Sequence, residues 1–199
     1  MKYPIFISIW TMLLSLFACQ QASESTSTHS LNKSEAISDI SIFNLNTAWE
    51  NQHGETLQLQ ELSGNVLVVV MIYTTCKAAC PRLVADMKNI AEKVGETTQA
   101  VKYVLVSIDP ETDTPERLKQ FSIDNMMDDE KWLFLRSSLE NTREFANVVA
   151  VKYAQISPMD FSHSNIITVF NDKGEMVHQM EGLSVDNTET VEIIKKLAH

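Results

Sequence analysis

The stretch that most restricts the fold is VLVVVMIY, beginning at Val66, followed by Thr74-Thr75-Cys76-Lys77-Ala78-Ala79-Cys80-Pro81. A run that is apolar and largely β-branched at both odd and even positions belongs to a central strand covered on both faces. After Pro81 the period changes, and Leu83, Val84, Met87, Ile90, Ala91 and Val94 recur at helical spacing. A buried strand feeding a helix is the unit from which α/β folds are assembled. The junction, with its two cysteines, then lies at the carboxyl edge of the sheet, where such folds hold their sites.

The chain from Ile40 onward alternates between strand-like and helix-like periods. Ile40, Ile42, Phe43 and Leu45, then residues 56–59, predict two short strands around the turn Asn51-Gln52-His53-Gly54. Residues 101–108 predict a second core strand, and Thr114-Pro115 an N-cap with proline at the first helical position, opening a helix to residue 124. A short strand over 132–135 and a helix over 140–151 follow. Residues 165–170 and 175–180 predict a hairpin about Asn171-Asp172-Lys173-Gly174, and residues 187–197 a closing helix. With no internal repeat, 199 residues make one domain and a short appendage. The expected fold class is α/β, with a mixed central sheet, extra N-terminal strands and a hairpin insertion, in an order that resembles the thioredoxin-like arrangement.

The first residues predict an address. Lys2 is the sole charge before Glu24, and the apolar run from Tyr3 to Phe17 is shorter than the roughly 20 residues of a helical span. Residues 1–18 therefore read as a signal peptide. Leu16-Phe17-Ala18-Cys19 resembles the lipobox of bacterial lipoproteins, which implies cleavage before Cys19 and acylation of its sulfur. An uncleaved signal anchor or a free thiol are the alternatives. Residues 19–39, rich in Ser, Thr, Gln and Glu, predict a lipid-anchored flexible linker in which His29 is simply solvated. The folded domain is expected over 40–199. The implied location is the bacterial cell envelope, anchored to a membrane, with the domain in the periplasm or otherwise outside the cytoplasmic membrane. Export would allow a disulfide between Cys76 and Cys80 to persist.

Net charge separates some function classes and not others. At −10 the chain has no electrostatic footprint for nucleic acid. The same charge suits a cationic partner, metal ions included, and equally suits plain solubility. The cysteine pair is more specific. A helix N-terminus, helped by Lys77, favours thiolate over thiol, and thiolate is both the nucleophile and the soft metal ligand. A redox dithiol of the thioredoxin type has two residues between its cysteines; here there are three. Cysteines four apart on one helical face can hold one ion or bond to each other. An inert staple is the less favoured reading, because closing so small a loop removes little unfolded-chain entropy.

Three motifs extend the reading. Thr75-Cys76-x-x-x-Cys80-Pro81, Ser107-Ile108-Asp109-Pro110-x-x-Asp113-Thr114-Pro115 and Phe161-Ser162-His163-Ser164-x-x-Ile167 occur in that order. From about Ser41 to Leu183 the chain resembles the Sco/SenC copper-binding proteins, which are associated with assembly of cytochrome c oxidase. The resemblance implies copper ligation by Cys76, Cys80 and His163, one ion per chain; Lys77 departs from the proline many members carry. Two thiolates and an imidazole suit Cu(I) and can also hold Cu(II). Asp109 and Asp113 would lie beside that site, orienting it or meeting a partner, although turn chemistry alone accounts for both. His53 and His178 read as structural and His199 as terminal. Met71, Met87, Met126, Met127, Met159, Met176 and Met180 read as packing.

The implied function is a metallochaperone delivering copper to the binuclear copper (CuA) site of a respiratory oxidase. Its partner would be the copper-containing subunit of cytochrome c oxidase or another exported cuproprotein. The alternative is a thiol-disulfide oxidoreductase that keeps cuproprotein cysteines reduced and is itself served by a reductase partner; it needs Cys76 and Cys80 as a redox-active pair, but not His163. A thiol peroxidase is a weaker third reading, because nothing in the cysteine loop supplies the arginine expected beside a peroxide-reacting thiolate; Arg82 is near only in sequence.

Overall fold

The computed structural model describes residues 37–199 apart from Met159. The expected signal peptide, Cys19, His29 and nearly all of the linker lie outside the described residues, as does Met159.

The core is a seven-stranded mixed sheet in the order β2-β1-β5-β4-β3-β8-β9. Its strands are β1 (Ala48–Asn51), β2 (Thr56–Gln58), β3 (Val66–Ile72), β4 (Val101–Ser107), β5 (Trp132–Arg136), β8 (Ile166–Phe170) and β9 (Met176–Glu181). Among the described residues four helices complete the layers: α1 (Cys80–Val94), α2 (Pro115–Asp124), α3 (Leu139–Val148) and α4 (Thr188–Leu197). Every residue of β3 and β8 is buried, so the VLVVVMI run is the central strand its composition requires. β3 runs parallel to β4 and antiparallel to β8. The expected α/β fold with a mixed central sheet is the fold the chain forms.

Two features differ from expectation. Residues 40–45 are not a strand: Ile42–Asn44 form a single 3₁₀ turn. The Ser41 hydroxyl accepts from the Phe43 N–H, and the Ile42 N–H donates to the Gly174 carbonyl at 2.9 Å, which turns the chain and buries Ile42 and Phe43 against the β8–β9 turn. The strand that faces β2 across the Asn51–Gly54 turn is β1, which begins later. Residues 153–163 carry no clear period, yet form a separate hairpin of β6 (Tyr153–Ser157) and β7 (Asp160–His163), which pairs with no strand of the main sheet.

The capping expectations hold. Thr114 precedes Pro115 and its hydroxyl accepts from the Arg117 N–H. The methionines divide. Met71, Met87, Met127 and Met180 pack in the core, whereas Met126 and Met176 are exposed and are not explained by packing. Among the described residues, no helix is long and apolar enough to cross a membrane.

Candidate metal centre

Sheet register brings the site together. The β3 residue Val70 pairs with Ile167 on the antiparallel β8. Continuing that ladder sets Tyr73, just past β3, level with the residues just before β8, among them His163. On the other side Ile72 pairs with Ser107 and the Ile108 N–H donates to the Ile72 carbonyl at 2.8 Å. Three loops from three adjacent strands therefore meet at one edge.

Cys76, Cys80 and His163 offer donor atoms that all lie within 4.8 Å of one another. Both cysteines are free thiols, Cys76 half-buried and Cys80 fully buried. They do not share a helical face, as their spacing suggested. Cys80 is the first residue of α1, and Cys76 lies in the turn before it. What unites them is the helix terminus. Ala79, the N-cap, has no side chain able to cap, and the Cys76 sulfur accepts from the Cys80 N–H at 3.3 Å instead. The pairing is thus a cap in which sulfur replaces the usual oxygen.

Electrostatics divide the two thiols. Burial works against ionisation of Cys76, but the Cys80 N–H and thiol, the Ala78 N–H and the Tyr73 hydroxyl outweigh it, holding Cys76 below the ordinary thiol value. Burial pushes the Cys80 thiol up, and the neighbouring Cys76 adds to the effect. The His163 imidazole is pushed down by burial, partly offset by its hydrogen bond to Ser164. That bond joins Nδ1 to the Ser164 carbonyl at 3.0 Å. A carbonyl only accepts, so Nδ1 carries the proton and Nε2 presents its lone pair. Nε2 stands 3.7 Å from the Cys80 sulfur. A neutral imidazole held this way is a metal ligand with its tautomer already set.

Asp113 and Asp109, the two aspartates of the second motif, do different things. The Asp113 carboxylate is buried beneath the loop and accepts from the Thr74 N–H, the Thr74 hydroxyl and, at 2.6 Å, the Ser107 hydroxyl. Burial raises its pKa, against the lowering effect of the hydrogen bonds from Ser107 and Thr74. Asp109 is not in the donor cluster. Its N–H donates to the Ser107 hydroxyl at 3.0 Å, its carbonyl closes the turn to Thr112 and Asp113, and it lines a cavity of about 500 Å³ with Glu111, Arg143 and Lys152. Arg136 braces this loop, donating to the Pro110 carbonyl at 2.8 Å while paired with Glu50. His178 bonds to Thr190, and His53 and His199 are exposed, all away from the donors.

One residue of the site carries no signal in any motif. Tyr73 is 2% exposed; its hydroxyl bonds to the Asp160 carboxylate, and its ring meets those of Phe161 and His163 edge-on at 5.2 and 5.9 Å. Its partners lie almost ninety residues away, so local pattern cannot reveal them.

A donor set of two thiols and one imidazole, fixed at a half-open sheet edge, can bind a soft or borderline metal ion or exchange disulfides. Known proteins share both the sequence pattern and the fold. Residues 43–199 match the family model described as SCO1/SenC. The SCO1 protein homolog of Bacillus subtilis is 32% identical over 99 residues, 49% of this chain and 51% of that protein, so the match spans about half the length of that relative. A SCO1/SenC family lipoprotein from Bacillus anthracis superposes with a TM-score of 0.66 at 25% identity, covering 76% of this chain and 92% of that one. Arabidopsis thaliana ScoI, solved with copper bound, gives a TM-score of 0.67 at 19% identity over 75% of this chain and 94% of that one.

Proposed function

Since the chain belongs to the SCO1/SenC family, we propose that it is a copper-binding metallochaperone that delivers copper to the binuclear site of a respiratory oxidase during its assembly. Cys76, Cys80 and His163 are the proposed ligands. The observation that carries the reading is the meeting of two sulfurs and a neutral imidazole nitrogen within 4.8 Å of one another. Thiolates favour Cu(I), and the imidazole lets the same set accept Cu(II). Three protein donors leave room for an incoming ligand, which transfer by stepwise exchange requires. Copper is here the cargo, one ion per chain, and the acceptor is an oxidase subunit or another exported cuproprotein. The copper bound by Arabidopsis thaliana ScoI supports the choice of metal.

The same proposal places the domain outside the cytoplasmic membrane. Residues 1–18 would be removed as a signal, Cys19 would carry the lipid, and the linker to residue 39 would tether the domain of 40–199. The lipoprotein character of the Bacillus anthracis relative supports this. Metabolic labelling with a clickable fatty acid tests it: label that survives Cys19→Ala excludes the anchor.

The ligand assignment is tested by copper titration of the purified protein against a competing chelator. Cys76→Ser, Cys80→Ser and His163→Ala should each weaken binding; unchanged affinity in all three sinks the assignment.

A second reading, thiol-disulfide exchange, is favoured by the asymmetry of the pair. Cys76 is the more open sulfur and the one held toward thiolate. It would attack a partner disulfide, forming a mixed disulfide and releasing one partner thiol. Cys80 would then attack Cys76, releasing the second partner thiol and leaving Cys76–Cys80 oxidised by two electrons. This activity needs no imidazole, so it should survive His163→Ala.

A further inference from the structure

His163 rides on an element that the main sheet does not hold. The β6–β7 hairpin pairs with no strand of the seven-stranded sheet, and Ala154 through Pro158 are all exposed. Within the hairpin the base is closed by the Ser164 N–H donating to the Lys152 carbonyl at 2.8 Å. That bond fixes the hairpin's own width and not its position over the cysteines.

Tyr153 and Phe161 pack the hairpin against the core, and Tyr73 adds directed bonds. Its hydroxyl donates to the Asp160 carboxylate and accepts from the Phe161 N–H at 3.2 Å. Alternation along β7 puts Phe161 and His163 on one face, and both rings rest on the Tyr73 ring. The same residue governs the cysteine loop, since its carbonyl accepts from the Cys76 N–H at 3.3 Å. One residue, rooted at the end of a fully buried strand, thus spans both halves of the donor set, the hairpin through its side chain and the cysteine loop through its carbonyl.

We propose that Tyr73 is a positioning residue: with Asp160 it clasps the β6–β7 hairpin to the end of β3 and thereby fixes the distance of His163 from Cys80. The clasp sets the place of the imidazole; the cysteines are held mainly by the α1 terminus and by Asp113, with the Tyr73 hydroxyl a smaller contributor at Cys76. Loosening it converts a fixed third donor into one that visits the site part of the time. The proposal rests on the reading of Cys76, Cys80 and His163 as copper ligands.

A hydrogen bond to a charged acceptor is worth roughly a tenfold to hundredfold change in an equilibrium, and this sets the expected effect. The test uses the full-length protein and its Tyr73→Phe, Asp160→Ala, Asp160→Asn and His163→Ala variants. Copper affinity is read by chelator competition, and ligation by the sulfur-to-Cu(II) charge-transfer band and the nitrogen hyperfine coupling in electron paramagnetic resonance. Tyr73→Phe and Asp160→Ala should lose roughly tenfold in affinity and weaken the nitrogen coupling while keeping the sulfur band. Asp160→Asn retains an acceptor oxygen and should stay near the parent protein. Parent-like affinity and nitrogen coupling in Tyr73→Phe and Asp160→Ala, beside losses in His163→Ala, would overturn the clasp and leave the ligand set standing. So would an Asp160→Asn protein indistinguishable from Asp160→Ala. If His163→Ala itself changes neither readout, the three-ligand reading falls, and the clasp with it.

Discussion

The carboxylate of Asp113 accepts both the backbone N–H and the hydroxyl of Thr74, across 39 residues of sequence and beneath the loop that carries Cys76. It also takes the Ser107 hydroxyl, so one fully buried group joins the ends of β3 and β4. Removing it strands three donors away from water. Asp113→Ala should cost about 2–4 kcal/mol in urea unfolding, the range for a broken buried network. Copper affinity should fall as well, because Thr74 precedes Cys76 by two residues.

The two thiols should answer pH separately. Thiolate is the reactive form, so Cys76, held below the ordinary value, should alkylate with iodoacetamide at lower pH than a model thiol. Cys80, raised and buried, should stay unmodified in the folded protein well above that pH. Peptide mass spectrometry after timed quenching reports both. Equal rates across the pH range contradict the assignment.

Those shifts also carry opposite stability signs. The folded Cys76 binds its proton less tightly than the unfolded thiol, so its contribution grows as pH rises through its folded pKa and is complete above the unfolded value of about 8.5. Cys80 keeps its proton in the folded state after the unfolded chain has lost it, so its contribution declines above about pH 8.5. Cys80→Ala should therefore flatten the fall in melting temperature above about pH 8.5, and Cys76→Ala should remove the rise that Cys76 contributes below it. Differential scanning calorimetry between pH 6 and 10 distinguishes them.

Gly174 offers a test remote from the site. It has φ of +74°, and a Cβ there would lie 2.7 Å from the Ser41 hydroxyl and 2.8 Å from the Phe43 ring. Both neighbours are buried, and Ser41 also donates to the Lys173 carbonyl. Gly174→Ala should destabilise by about 1–3 kcal/mol through strain and overpacking. Copper affinity should remain that of the parent.

What the sequence revealed follows from where its signals are local. β3, α1, β4 and α2 were legible because burial on both faces, helical spacing and the Thr114-Pro115 cap are read within a few residues. The two cysteines were legible for the same reason. β1 was obscured because Ala48-Trp49-Glu50-Asn51 offers one large apolar side chain, while Ile42 and Phe43 look like a strand and are buried by a 3₁₀ turn. β6 and β7 were obscured because a hairpin exposed on most positions has no alternation to show. The ligand role of His163 rested on resemblance, and Tyr73 went unnoticed because its partners are remote. Asp109 and Asp113 looked alike in their motif; only burial and contacts separate the loop clamp from the cavity-lining residue.

The convergence of β4, β3 and β8 has a consequence for when the protein can work. The two cysteines are neighbours in any conformation of the chain, but the imidazole joins them only after β3 and β8, remote from each other in sequence, have found register. An unfolded or half-folded chain offers a loose dithiol, and the complete donor set is a product of finished folding. On the proposed ligand set, copper held through nitrogen as well as sulfur would mark a native molecule, and the same linkage would make the loaded protein harder to unfold than the empty one.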